Sequence, residues 1–206
     1  MAWDENVGAM RRETRHGGAS FIALLASLLA ALPGGCSAPP RATFDLSAPD
    51  MSFKARAGRR GQVAVAEPSA IAPTDSDRIV VRTSSDAVAY LGSAQWADQL
   101  PALIQNRLIE TFGNAHLLMA VGRPGILADY KLQTDIRRFE LDAGRREAVV
   151  EISAQLIGQN DRIAAGKIFS ASAPAAGDDG ANVAAALDSA LGDVMRQIVL
   201  WTAPRI

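Results

Sequence analysis

The sequence has a single cysteine, two histidines and few aromatic residues (5%), and its longest largely apolar stretch covers only residues 21–32. One thiol excludes an internal disulfide framework. With His16 near the N-terminus, a Ser-His-Asp triad or histidine zinc site would have to be built on His116 alone. A formal net charge of −1 gives no basic surplus of the kind nucleic acid or an anionic membrane surface selects. Twelve helical residues span about 18 Å, short of the roughly 30 Å hydrocarbon core, so residues 21–32 do not suit a permanent membrane span. G-x-S-x-G and H-E-x-x-H are absent. Gly158 and Gly166-Lys167 miss the phosphate-loop spacing and hydroxyl. Asp75 and Asp77 lack the further oxygens and the glutamate of a calcium loop.

What is present begins at the N-terminus. Arg11, Arg12 and Arg15 precede the apolar residues 21–32, and Pro33-Gly34-Gly35-Cys36-Ser37 follows with small side chains. This is the pattern of a secretory signal peptide, and Met10, directly before Arg11-Arg12, is a more usual start for one than Met1, which is followed by Asp4 and Glu5. Glu13, Thr14 and Arg15 do not supply the residues that follow a twin-arginine export pair. Gly34-Gly35-Cys36 resembles the lipobox of bacterial lipoproteins, with Pro33 where leucine is usual and Leu32 one place further back. The resemblance implies cleavage before Cys36, removal of residues 1–35 and acylation of the cysteine. Lipidation also resolves the liability of a lone exported thiol. Ser37 after the cysteine, by the familiar sorting rule, favours the outer membrane. Removing residues 1–35 takes away three basic and three acidic side chains, so the net charge is unchanged.

The remaining chain suits one domain. Residues 36–42 read as the lipidated cysteine and a short tether, and residues 43–206 as the folded unit. Residues 42–46 and 62–66 alternate as short strands, and the basic stretch 50–61, with Lys54, Arg56, Arg59 and Arg60, reads as an exposed loop. Residues 78–82 and 88–90 form a hairpin across Thr83-Ser84-Ser85-Asp86. Trp96, Leu100, Leu103, Ile104, Leu108, Ile109 and Phe112 recur at helical spacing, with the regular start near Asp98, Pro101 in the first turn and Gly113-Asn114 as the stop. Residues 117–121 are uninterruptedly apolar and predict a strand buried on both faces. The alternation from Tyr130 slips phase after Ile136, predicting a bulge at Arg137-Arg138. Residues 147–156 alternate cleanly, Gln159-Asn160-Asp161 reverses the chain, and residues 163–171 complete a meander in which Gly166 suits a second bulge. Asp179 or Asn182 can cap a last helix carrying Val183, Leu187, Ala190, Leu191, Val194, Met195, Ile198 and Trp201. Trp96 and Trp201 read as core residues and His116 as structural. The expected fold is α+β: a mixed or antiparallel β-sheet with two amphipathic helices packed on one face, preceded by a lipoprotein signal peptide. An open sheet edge near Val63 or Val80 would allow pairing with a partner or a second copy, including rings.

Cys36, Phe44-Asp45-Leu46, the phrase Asp75-Ser76-Asp77-Arg78-Ile79-Val80-Val81-Arg82, Val88-Ala89-Tyr90-Leu91 with Gln95-Trp96-Ala97-Asp98 and Leu100-Pro101, and Asp129-Tyr130-Lys131-Leu132 leading to Asp135-Ile136 and Phe139-Glu140 occur in this order. Together they resemble the ABC-type transport auxiliary lipoproteins. The resemblance implies a periplasm-facing, non-enzymatic lipoprotein without a cofactor. Its partners would be an ABC permease and ATPase with an MCE-domain (mammalian cell entry) protein, moving lipids across a Gram-negative envelope. Two other classes remain open on the residues alone: a structural lipoprotein of a secretion, pilus or outer-membrane assembly system, and an envelope hydrolase dependent on His116.

Overall fold

The computed structural model describes residues 40–51 and 61–206. Among these residues eight strands and two longer helices follow in the order β1 (Ala42–Phe44), β2 (Gln62–Val65), β3 (Arg78–Arg82), β4 (Val88–Trp96), α1 (Leu100–Ala115), β5 (Ala120–Gly122), β6 (Tyr130–Asp142), β7 (Glu147–Ile157), β8 (Ile163–Pro174) and α2 (Gly180–Thr202). The leader, Cys36, the signal-peptide boundary and most of the basic stretch, including Lys54, Arg56, Arg59 and Arg60, lie outside the described residues.

The sheet is built on β6, whose thirteen residues extend about 40 Å. Its alternation buries Leu132, Thr134 and Ile136, slips one place, and then buries Phe139 and Leu141. The pairing with antiparallel β7 shifts between Ile136 and Arg138, so the expected bulge is present. Along the opposite side of β6, two short strands lie end to end in parallel register. Val63, Ala64 and Val65 of β2 face Tyr130, Lys131 and Leu132, and Val80, Val81 and Arg82 of β3 face Glu140, Leu141 and Asp142. Ser69 fills the gap between them, its N–H donating to the Thr134 carbonyl (2.9 Å) and its carbonyl accepting from the Ile136 N–H (2.8 Å). β4 pairs antiparallel with β3, β1 runs parallel beside β4, β5 runs parallel beside β2, and β8 is antiparallel to β7. The mixed sheet and two helices form the expected α+β fold.

Ala148, Val150, Ile152, Ala154 and Leu156 of β7 are all buried on the face that receives the helices. α2 supplies Val183, Leu187, Ala190, Leu191, Val194, Met195 and Ile198 to the same core. Its first turn is capped by Asp179, whose Oδ1 accepts the Ala181 and Asn182 N–H groups at 3.1 Å. Trp96 and Phe139 meet edge to face at 5.7 Å, and Trp201 meets Phe169 likewise at 5.6 Å, so both tryptophans pack as core residues.

Several local expectations are corrected. Gln95 and Trp96, just ahead of the expected helix start near Asp98, are the end of β4: the Trp96 N–H donates to the Asp77 carbonyl at 2.7 Å, which prolongs the strand past its irregular register. α1 starts at Leu100 with Gln99 before it. The Asp98 carboxylate accepts the neighbouring Gln99 N–H instead of capping the helix. α1 runs one residue past the expected stop at Gly113-Asn114, burying Ala115, and its left-handed closing residue is His116. Residues 117–121 do not make a strand buried on both faces. Only residues 120–122 pair, at an edge, and Met119 is 62% exposed. The second bulge lies between Ile163 and Ala165, where the register shifts against Leu156 and Ile157, while Gly166 stays paired with Gln155. Val63 and Val80 sit in strands paired on both sides, so neither is an open edge. The edges are β1, β5 and β8.

One charged cluster is built into the sheet. Glu140, its side chain 6% exposed, accepts Arg82 through both oxygens at 2.8 and 2.9 Å and Arg138 at 2.8 Å. Burial alone would raise the Glu140 carboxyl, but the Arg82 and Arg138 hydrogen bonds outweigh it and hold the group below the ordinary glutamate range. A carboxyl depressed in the folded state stabilises the fold above its unfolded pKa, and that contribution is lost as pH falls through the folded value. Glu140→Gln is therefore expected to cost about 1–3 kcal/mol at neutral pH, since Arg82 and Arg138 are partly exposed and can rehydrate. Thermal unfolding against pH checks it: the gap between wild type and variant narrows in acid.

Candidate docking and anchoring surfaces

The two ends of β6 differ in chemistry. Beyond its first residue, Tyr130, lies the connection 123–129 from β5, in which Leu127 is 97% exposed and Ile126 57%. The loop is not loose chain. Ile126 folds back over Gly122, where an added Cβ would lie 2.7 Å from the isoleucine Cδ1. The Asp129 carboxylate accepts the Gln62 N–H at 2.8 Å, and Arg123 donates to the side chains of Gln105 and Asn106 on α1. Leu127 is thus presented to solvent by a braced turn. Beside it, cavities of about 240 and 560 Å³ share Asp129, Tyr130, Gly158 and Gln159. Met119 and Ile163 (61% exposed) add apolar surface, and the C-terminal Ile206 reaches Gly61 at this end. Exposed aliphatic side chains gathered at one end of a sheet are candidates for an interaction site.

The other end is where the described chain begins. β1 runs parallel to β4 with Ala42 opposite Ala94, so Pro40 lies toward the start of β4, whose Val88 pairs with Arg82, itself paired with Asp142. The segment after β1 is tied to both helices. Asp188 of α2 accepts the Ser47 N–H (2.7 Å) and hydroxyl (2.5 Å), and Arg107 of α1 bridges Asp45 at 2.7 Å and Glu110 at 2.8 Å. A pull on the N-terminal chain is passed to the helical layer through these bonds instead of resting on a three-residue edge strand.

Cys36, the one residue with an expected chemical role, lies outside the described residues. His116 closes α1 in the left-handed conformation (φ 53°), its N–H donating to the Gly113 carbonyl at 3.2 Å. Its side chain is exposed and makes no hydrogen bond or ion pair among the described residues. A side chain at positive φ is strained relative to glycine there. His116→Gly is expected to preserve the fold and raise its stability by up to about 1 kcal/mol, read as a higher Tm. Among the described residues no group of three metal-ligating side chains could hold an ion, and no helix is long and apolar enough to cross a membrane. The Ile126-Leu127 loop carries no mark in the sequence beyond the turn residues Pro124-Gly125, because two aliphatics after a turn look the same whether buried or displayed.

The model of the family described as the ABC-type transport auxiliary lipoprotein component matches residues 44–199. An uncharacterized protein of Bradyrhizobium diazoefficiens is 29% identical over 174 residues, covering 83% of this chain and 47% of that protein, so the chain spans about half the length of this curated relative. The crystal structure of a Xanthomonas campestris protein of the DUF330 family aligns with a TM-score of 0.72 at 32% identity, over 78% of this chain and 94% of that one. A second crystal structure, of an uncharacterized protein, shares the fold with a TM-score of 0.62 at 15% identity, over 79% of this chain and 98% of that one.

Proposed function

Because the chain belongs to the ABC-type transport auxiliary lipoprotein family, we propose that it is a non-enzymatic subunit, held to a membrane by acylated Cys36, that fastens one end of an MCE-type ABC transport assembly. In this reading residues 1–35 are removed, residues 36–42 form the lipidated tether, and residues 43–206 form the periplasmic domain, on the outer membrane by the Ser37 sorting rule. The family match over residues 44–199 carries the proposal, since it runs from the last residue of β1 through β2–β8 and both helices up to the last turn of α2. The two-ended surface supports it. The chain enters beside the middle of β4, on the side of the C-terminal end of β6, and the apolar Ile126-Leu127 loop lies beyond the other end of that thirteen-residue strand. A domain tethered at one end presents the other to the aqueous periplasm.

The physical need for such a subunit comes from the cargo. Each exposed methylene costs about 0.8 kcal/mol in water, so a lipid path between membranes must be shielded and fixed at its terminus. The free edge of β8, with Lys167 as its sole charged residue, also leaves room for a second copy of the chain. Isolation of the cross-linked protein from native membranes with an antibody to the domain, followed by mass spectrometry, tests the proposal. An MCE-domain protein with a permease or ATPase is the expected recovery. Secretion or pilus components without any transporter subunit would overturn it in favour of an assembly lipoprotein.

A further inference from the structure

A third cavity, of about 300 Å³, lies at the β4-start end of the sheet. Val81, Leu91 and Leu141 contribute apolar wall from β3, β4 and β6, Ala175 closes it from the segment leading to α2, and Arg146 and Asp178 stand at its lining. That volume is at the small end of ligand pockets, enough for part of one hydrocarbon chain and too small for a whole two-chain lipid. Arg146 is held there in an unusual way. It has φ 54° in the β6–β7 turn, and its carbonyl accepts the Ala175 N–H at 2.9 Å, locking the turn to the opposite wall. A bulky side chain at positive φ is a strained choice where glycine or asparagine would be expected.

Arg146 and Asp178 are both exposed, and among the described residues neither makes an ion pair. The other turn charges are engaged, Arg145 with Asp142 at 3.9 Å and Glu147 with the Ser172 hydroxyl at 2.6 Å. The cavity also lies where the described chain leads out of the domain. Continuing the β1–β4 register by two residues would set Pro40 level with Gly92, next to Leu91. Cys36 is four residues before Pro40, at most about 14 Å of extended chain. An acylated Cys36 would therefore keep this cavity close to the lipid surface.

We infer that the cavity walled by Val81, Leu91, Leu141 and Ala175 receives the glycerol-proximal part of one acyl chain of a zwitterionic glycerophospholipid, with Arg146 binding the phosphate and Asp178 the ammonium group. The inference rests on the lipid-transport reading above and assigns it a membrane-proximal subsite. Unpaired charges of both signs beside an apolar slot match a headgroup carrying both signs, and arginine is the side chain suited to phosphate.

The test uses the full lipidated protein in vesicles containing phosphatidylethanolamine with a photoactivatable diazirine on one acyl chain. Peptides carrying Leu91, Leu141 or Ala175 are expected to be labelled above those of the outer sheet face around Gln155. Arg146→Gly, which suits the positive φ and spares the fold, is expected to lower pocket labelling about tenfold. Ala175→Phe, which fills the slot, is expected to lower it comparably, with circular dichroism confirming that the variant is folded. Labelling that survives either substitution in the folded protein, or that is uniform over the surface, overturns the inference. Isolation of partner proteins is a separate readout, so recovery of the transporter with an unlabelled pocket would overturn the subsite and leave the proposed function standing.

Discussion

Leu127→Asp is expected to lower recovery of the transporter partners about tenfold or more while leaving thermal unfolding unchanged. The leucine is 97% exposed, so the folded domain draws almost nothing from burying it. A partner that covers it gains about 1.5–3 kcal/mol from burying one aliphatic side chain, and aspartate replaces that gain with the cost of desolvating a carboxylate. Each 1.4 kcal/mol is tenfold in affinity, so one substitution suffices. The loop backbone is braced by Arg123, Asp129 and the packing of Ile126 on Gly122, none of which the substitution touches. A parallel Leu127→Ala variant, weaker in effect by the same reasoning, separates loss of apolar contact from introduction of charge. Loss of partner with an unchanged Tm is the result that identifies a docking residue.

Cys36→Ser carries the second large effect. With the thiol gone no acyl chain can be attached, and the protein is expected to move from the membrane fraction to the soluble periplasmic fraction after osmotic release. Several acyl chains of many methylenes each, at about 0.8 kcal/mol per buried methylene, hold a protein far more tightly than a polybasic loop at about 1 kcal/mol per cation. The stretch containing Lys54, Arg56, Arg59 and Arg60 therefore cannot replace the anchor. Protein that stays in the membrane fraction after Cys36→Ser would show that attachment is made elsewhere in the chain.

What the sequence made legible follows from the range of the interactions involved. The bulge at Arg137-Arg138 was readable because a one-place slip moves every later side chain to the other face, leaving its trace in the alternation itself. The Asp179 cap and the inward face of β7 were readable for the same local reason. The parallel pairing of both β2 and β3 on one side of β6 was not, since a strand carries no sign of its partner's direction. Trp96 misled because four residues separate it from Leu100, a helical interval that also fits a strand ending before a helix. Residues 117–121 misled because an apolar run does not distinguish a central strand from an edge, and the placement of β5 outside β2 left Met119 in solvent. The candidate docking surface was invisible for the complementary reason: Ile126 and Leu127 have core composition, and only the fold shows that no core lies beneath Leu127.

The most direct measurement places a photo-crosslinking amino acid at Leu127, and in a second strain at Arg145 in the β6–β7 turn, within native membranes. If the domain is anchored at the β4-start end and docks at the other, position 127 captures an MCE-domain protein or another transporter subunit, while position 145 captures lipid. Capture of the same lipids from both positions, or of transporter subunits from 145 and none from 127, would contradict the two-ended account.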